Sequence, residues 1–131
     1  MSAALSGKTP GQVFALVFGA IYVLVGVVGF FVTTDGGEGT LIAFDVNALH
    51  NIVHLAIGGA LLYASRTVAT SKQMNLILGA VLTLVAILGF AGVIVEDLMN
   101  ANAADHMLHL ATGVLALYFG TAGAGVRAAT A

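Results

Sequence analysis

Charge is scarce in this sequence, and cysteine is absent. Only 8% of the 131 residues are charged, whereas an ordinary soluble domain has about 25% charged residues. The lack of cysteine excludes disulfide bonds, thiolate metal sites and a cysteine nucleophile. With a formal net charge of -2 and four scattered basic residues, the chain lacks the basic surface that nucleic-acid binding requires. What remains is an apolar chain whose few charges lie at the ends of long apolar stretches.

Four apolar stretches predict transmembrane helices. A bilayer core of about 30 Å needs roughly 20 apolar residues in a helix, and the first stretch contains no charged residue. We expect an exposed loop at 33–46, a frayed C-terminal tail at 123–131, and helices at approximately 12–32, 47–65, 74–95 and 103–122. The prediction is an all-α fold, in which residues 1–131 form a single transmembrane domain. This domain would be an integral membrane four-helix bundle with the lipid bilayer as its partner.

The positions of the charges predict the orientation of the helices. Basic residues next to transmembrane ends collect on the cytoplasmic side. With four spans, all basic residues would lie on one side of the membrane and all acidic residues on the other. The basic residues are Lys8, Arg66, Lys72 and Arg127, and the acidic ones are Asp35, Glu38, Asp45, Glu96, Asp97 and Asp105. We therefore expect a multi-pass protein of the cell membrane with its N- and C-termini in the cytoplasm.

The two halves of the chain resemble each other. Residues 16–30 and 76–90 share seven identities in fifteen aligned positions, and residues 47–63 and 102–118 share eight in seventeen. A composition this biased gives roughly one chance identity in ten positions, so the similarity indicates an internal repeat. Each copy has two helices, which predicts two parallel two-helix repeats. His54 of one copy is then equivalent in depth to His109 of the other.

Small residues on the first and third helices predict close helix packing. Small side chains let helix backbones approach each other, which is the main device for helix association in lipid. The residues expected at these contacts are Ala15, Gly19, Gly26, Gly79 and Ala86.

Histidines and an acid collect near the outer ends of the second and fourth helices. His50 and His54 are four residues apart, as are Asp105 and His109, so each pair lies on one helix face. Ionisable groups in a membrane are costly and usually face the bundle interior. The first hypothesis is a transition-metal site formed by His50, His54, Asp105 and His109, because imidazoles and carboxylates bind zinc, copper and iron.

The second hypothesis is haem b between the second and fourth helices. His54 and His109 would be its axial ligands, and Gly58 and Gly113, one turn deeper, would leave room beside the imidazoles. Against it, no Arg or Lys lies near the outer ends of these helices to meet the haem propionates. A third hypothesis is a proton-responsive element, because histidines titrate near neutral pH and Asp105 could partner one of them.

A structural interpretation competes with these hypotheses. Polar residues would then cap helix starts and hydrogen-bond across the bundle, and those assigned to this role are Asn47, Asn51, Asn102 and His106. The thioethers of Met99 and Met107 could bind copper(I), although isolated methionines more often serve in packing.

The sequence contains no motif of an enzyme. It lacks the acid of the H-E-x-x-H protease motif, a phosphate-binding glycine loop and a nucleophile with a paired base. We therefore expect a small non-enzymatic integral membrane protein, an accessory or structural subunit of a membrane assembly, as a homo-oligomer or in a larger complex. The alternative is a metal- or haem-binding membrane bundle with a redox or transport role.

Three segments resemble a known family. They are FALVFGAIYVLVGVVGFF, NALHNIVHLAIGGALL and ADHMLHLATGVLALY, and they are similar to the domain of unknown function 4383 family of small four-helix prokaryotic membrane proteins. The resemblance covers roughly Gln12 to Gly120 and implies a membrane bundle without an established activity. The family pattern falls on Asn47, His50, Asn51, His54, Asp105 and His109. His106 departs from it, since the usual residue there is Asn, so a site that needs His106 as a ligand is not expected.

The haem hypothesis makes a spectroscopic prediction. Bis-histidine haem would give the purified protein a sharp absorption band near the blue edge of the visible spectrum, and His54→Ala or His109→Ala would abolish it. A colourless preparation without bound metal by elemental analysis would contradict both cofactor hypotheses.

Overall fold

The computed structural model describes residues 5–33, 37–93 and 95–125. This part of the chain is mainly helical, as predicted, and its elements are α1 (Pro10–Val32), β1 (Glu38–Leu41), β2 (Phe44–Asn47), α2 (Ala48–Ala64), α3 (Val68–Phe90), α4 (Val95–Met99) and α5 (Ala103–Gly120). Some predicted features lie outside the described residues: the C-terminal tail beyond residue 125, Asp35 and Arg127 of the charge pattern, and the side chain of Glu96.

Helix α1 begins where its sequence provides a complete cap. Thr9 Oγ1 accepts a hydrogen bond from the Gln12 backbone N (3.3 Å), and Gln12 Oε1 accepts one from the Thr9 backbone N (3.1 Å). Together they satisfy two backbone donors at the helix start. Pro10 follows at the first helical position, where its missing N–H is not needed. Gln12 Nε2 also donates to the Ser65 carbonyl (3.0 Å), so the start of α1 lies beside the end of α2.

The third apolar helix is displaced toward the N-terminus relative to its predicted position at 74–95. Thr67 Oγ1 accepts a hydrogen bond from the Thr70 backbone N (3.1 Å) and caps α3. Polar residues expected in a connector therefore form the first turns of α3. At the other end, Gly92 adopts a φ of 70°, a left-handed conformation that commonly ends helices. The residues Val95–Met99 form the separate helix α4.

A β-hairpin occupies the segment expected to be an exposed loop. β1 and β2 pair in antiparallel register with Leu41 opposite Phe44, and the turn is Ile42–Ala43. Ile42 has a φ of 62°, the left-handed conformation that such two-residue turns require. These turns usually contain Asn-Gly or Asp-Gly, so Ile-Ala at this position does not predict a hairpin.

Glycines let α1 and α2 meet backbone to backbone. Gly19 lies against the backbone of Leu62, and Gly58 lies against the backbone of α1. A Cβ atom at Gly58 would come within 2.6 Å of the Val23 backbone N, closer than packed atoms allow. The interface therefore has no room for a side chain at this position.

Helices α3 and α5 pack through corresponding residues. Gly79 lies against the backbone of Leu117, and a Cβ atom at Gly113 would come within 2.7 Å of the Thr83 backbone N. Each of these residues occupies the position aligned with its counterpart in the α1–α2 pair. The predicted close packing is thus confirmed at Gly19 and Gly79.

Many buried side chains are small or polar, while many large aliphatic ones are exposed. Leu24 is 63% exposed and Ile87 is 56% exposed. The buried polar residues include His50, Asn51, His54, Asn75, Asp105, His106, His109 and Thr112. Soluble proteins bury aliphatic side chains preferentially, so this distribution is the reverse of a soluble core.

Among the described residues, two helices are long and apolar enough to cross a membrane. These are α1 and α3, with 23 residues each. Helix α2 is apolar but shorter, with 17 residues. Judged by length and composition, these helices agree with the predicted location in a membrane.

The glycine contacts predict opposite outcomes for two neighbouring substitutions. Gly58→Ala is expected to lower the free energy of unfolding by about 1–3 kcal/mol, because the new methyl group must displace the α1 backbone. Gly59→Ala is the matched control, since no described atom lies within 4 Å of a Cβ there. Its stability should stay unchanged or rise by up to about 1 kcal/mol through better helix propensity. Thermal unfolding in detergent, followed by circular dichroism, compares the variants, and equal losses would contradict the close approach.

Candidate metal centre

Two asparagines cap the helices that contain the candidate ligands. Asn47 Oδ1 accepts a hydrogen bond from the His50 backbone N (2.8 Å) at the start of α2. Asn102 Oδ1 accepts one from the Asp105 backbone N (3.1 Å) at the start of α5. Asparagine is favoured here because its side chain satisfies a backbone donor of the first turn. Each cap fixes a buried polar residue at the third helical position, and a histidine follows one turn deeper.

The structure brings His50, His54 and His109 into one group, which we call the trihistidine cluster. One ring nitrogen from each residue lies within 4.8 Å of the others. The ring centroids of His50 and His54 are 4.4 Å apart, and the ring of His109 lies 5.8 Å and 6.0 Å from them, respectively. All three side chains are buried, with at most 4% of their surface exposed. Ligands from α2 and α5 therefore meet in the interior.

The trihistidine cluster is poor in hydrogen bonds. Within the described part of the chain, both ring nitrogens of His50, both of His54, and Nδ1 of His109 have no hydrogen-bond partner. The backbones of Asp45 and Met99 lie close enough to His50 to interact with its ring. A buried polar atom left in this way costs about 1–3 kcal/mol. Buried polar atoms of this kind need a partner such as an ordered water or a ligand.

The spacing of the cluster suits a transition metal ion. In a tetrahedral site with metal–nitrogen bonds of about 2.0–2.1 Å, two ligand nitrogens lie about 3.4 Å apart. Nitrogens that already lie within 4.8 Å can reach this separation by small rotations of the imidazole rings. Three imidazoles also leave a fourth coordination position for a further ligand.

Asp105, the fourth predicted metal ligand, lies beside the cluster and outside the group of three. Its Oδ2 accepts hydrogen bonds from the backbone N of Asn102 (2.8 Å) and of Asp45 (3.2 Å). The second bond joins the hairpin to α5. The carboxylate also acts electrostatically on His50, so it can balance positive charge in the cluster. Of the four predicted metal ligands, the structure brings three together and places the fourth at their side.

His106 and Asn51 lie in helix interfaces. The ring of His106 packs against Gly89 and stands edge-on to the ring of Phe90, with centroids 5.4 Å apart. Asn51, at the aligned position of α2, packs against Gly29. Its side-chain amide makes no hydrogen bond within the described residues. Neither residue belongs to the trihistidine cluster.

The residues predicted to hold haem do not fit it. Cavities of about 80 Å³ and about 30 Å³ lie beside the histidines, whereas sites for molecules of this class occupy about 300–1,000 Å³. Gly58 and Gly113 leave no space next to the imidazoles, because the backbones of α1 and α3 cover them. His54 and His109 therefore lie together without a slot for a porphyrin between them.

Two further side chains adjoin the cluster. Met99 lines the cavity of about 80 Å³ together with the three histidines. Tyr22 of α1 has its ring 5.2 Å from that of His54, at 85°. The sequence places the Met99 thioether near the outer end of α5. Its position beside the cluster depends on how the segment before α5 folds, and that segment has no hydrophobic periodicity from which to predict its fold. Tyr22 lies in a charge-free apolar stretch, where an aromatic residue usually indicates packing.

A family model described as Domain of unknown function (DUF4383) matches residues 12–122. The chain belongs to this family. The resemblance predicted from the sequence is thus confirmed. No curated protein and no solved structure matches the chain.

The part of the chain matched to DUF4383 includes the whole candidate centre. The hairpin, the two asparagine caps and the trihistidine cluster all lie between residues 12 and 122. The description of this family assigns no activity to it.

The position of Asp105 predicts a measurable loss of stability. Asp105→Ala removes the acceptor of two backbone N–H groups and should lower the free energy of unfolding by about 1–3 kcal/mol. The control is Asp97→Ala, because Asp97 is exposed and such substitutions change stability by about 0.5 kcal/mol or less. Thermal unfolding measures both variants. Indistinguishable melting temperatures would contradict the role of Asp105 as a structural acceptor.

Proposed function

We propose that this chain is a non-enzymatic integral membrane protein that binds one transition metal ion in the trihistidine cluster. Its spanning helices would be α1, α2, α3 and α5, and both termini would lie in the cytoplasm. The observation that carries the metal proposal is the meeting of three buried imidazoles, with ligand nitrogens within 4.8 Å of one another. Neutral imidazole is the commonest metal ligand in proteins.

The distribution of side chains supports a lipid environment. Aliphatic residues such as Leu24, Leu84 and Ile87 are more than half exposed. In lipid these side chains are favourable, each by about 0.3–0.6 kcal/mol on insertion scales. Polar side chains are costly there unless they face the protein interior, and the buried polar residues of this chain do so.

The ends of the helices support the proposed orientation. Lys8 Nζ donates to the Ser65 carbonyl (3.3 Å), which puts Lys8 and Arg66 at one end, and the first turn of α3 with Lys72 follows directly. The hairpin and the start of α5, which contain several acids, lie at the opposite end of α2. Basic residues on one side only are typical of the cytoplasmic face.

Matching burial supports two parallel two-helix repeats. Helices α1 and α3 bury residues at aligned positions, namely Gly11/Ser71, Ala15/Asn75, Gly19/Gly79, Tyr22/Leu82, Gly26/Ala86 and Gly29/Gly89. Corresponding glycines also join each of these helices to its partner. Two copies of one helical pair, related by an axis along the membrane normal, would produce this match.

The walls of the site favour binding over catalysis. Apolar side chains form most of the cavity beside the cluster: Val53, Ile57, Val81, Leu82 and Val85. Such walls supply no general base to activate a metal-bound water. We therefore propose the role of a metal-holding accessory subunit, working with its own copies or within a larger membrane complex.

Metal binding should depend on the clustered histidines. After removal of metal with a chelator, the detergent-purified full chain is expected to bind one equivalent of Zn²⁺, used as the probe, by elemental analysis after gel filtration. Loss of a supporting residue alone costs metal sites about 10–100-fold in affinity, so His54→Ala and His109→Ala should each cost at least that. Calorimetric titration gives the affinities.

His106→Asn is the matched control for these variants. It changes a buried histidine outside the cluster to the residue type that occupies the aligned position, Asn51. Its zinc affinity should equal that of the wild type. A wild-type protein that binds no metal, or an equal loss in His106→Asn, would overturn the metal site and leave a structural role for the histidines.

A further inference from the structure

Resting on the metal binding proposed above, we infer that the Met99 thioether is the fourth ligand of the trihistidine cluster and that the bound ion is copper(I). Three imidazoles alone would accept several transition metals. Met99 lines the same cavity as the three histidines, and a thioether ligand would restrict the metals that this site accepts.

Two hydrogen bonds hold the segment that contains Met99 over the start of α2. Asn47 Nδ2 donates to the carbonyl of Leu98 (3.0 Å), immediately before Met99. Asn100, the residue immediately after Met99, donates through Nδ2 to the carbonyl of Val46 (3.2 Å). Asn100 adopts a φ of 48°, a left-handed conformation that asparagine tolerates better than most residues. Met99 is therefore anchored on both sides, beside the cap that positions the first histidine of the cluster.

The donors in this cavity are soft and intermediate ligands. Met99, His50, His54 and His109 all line it, and its other walls are aliphatic. Thioether sulfur is a soft donor that suits copper(I), while imidazole binds copper, zinc and iron. A set of three imidazoles and one thioether therefore favours copper(I).

The charge of the site favours a singly charged ion. Among the described residues, the group of ligand atoms within 4.8 Å contains histidine nitrogens and no carboxylate oxygen. The cost of burying an ion rises with the square of its charge, so Cu⁺ costs about a quarter as much as Zn²⁺ in the same interior. Asp105, which acts on His50, can balance one positive charge and cannot balance two.

A zinc ion with three histidines and a water molecule is the main competing arrangement. The cavity of about 80 Å³ has room for a water, which occupies about 30 Å³ in the liquid. However, a metal-bound water needs hydrogen-bond partners of its own, and the aliphatic walls supply none. In the proposed site, the thioether of Met99 takes this position and has no donor that needs a partner.

The test compares copper(I) and zinc in the full chain. The metal-free protein in detergent is titrated with Cu⁺ under ascorbate, against a chromophoric copper(I) chelator, and separately with Zn²⁺. Met99→Leu keeps the volume of the side chain and should weaken Cu⁺ binding by about tenfold or more while leaving Zn²⁺ binding within about twofold. Met107→Leu is the control, because Met107 is 59% exposed and should change neither affinity.

X-ray absorption at the copper edge identifies the ligand atoms directly. The wild-type copper complex should contain one sulfur scatterer and three imidazoles, and Met99→Leu should lose the sulfur. Wild-type protein that binds neither metal would overturn the proposed function itself. Bound copper without a sulfur scatterer, or equal Cu⁺ affinity in Met99→Leu, would overturn Met99 ligation alone. Zinc that equimolar Cu⁺ fails to displace would overturn the copper assignment.

Discussion

At Gly58 and Gly113 the missing side chain lets α2 and α5 lie directly against the backbones of α1 and α3, respectively. Dispersion contacts between the backbones then stabilise the helix packing, as contacts between aliphatic side chains do in a soluble core. These contacts also fix the rotation of α2 and α5 about their axes. His54 and His109 lie four residues before the two glycines, on the same helix faces, so helices packed in this way turn both histidines inward.

The helices are predictable from the sequence because local interactions cause them. Their ends depend on the residues that cap them. The charge-free stretch at 12–32 corresponds to α1, whose start two residues earlier follows from the Thr9–Gln12 cap. For α3, absence of charge was a poor guide to the boundary, because Thr67 caps a helix that includes Lys72. The hairpin depends on Ile42 in a left-handed conformation, which sequence preferences disfavour, so only long-range contacts account for it.

Some features of the candidate site are likewise predictable from local helix geometry, and others depend on long-range contacts. The four-residue spacing of His50 and His54, with the alignment of the two halves, predicts that their side chains share a face and that His54 matches His109 in depth. Both follow from helix geometry. The hydrogen bonds of Asp105 to Asp45 and of Asn47 to Leu98 join residues more than fifty positions apart. No sequence spacing encodes such pairs, and so the anchoring of Met99 emerges only from the folded chain.

Equivalent positions in the two helical pairs carry out different tasks. At the third residue of α2 the side chain is His50, which belongs to the trihistidine cluster, and at the third residue of α5 it is Asp105, which accepts backbone hydrogen bonds. The cluster takes two residues from α2 and one from α5. In the proposed repeat, a nearly symmetric scaffold thus contains an asymmetric centre, displaced from the twofold axis toward α2. Because Asp105 stands in α5 where α2 has His50, the cluster has a carboxylate beside it on the α5 side and a second imidazole on the α2 side.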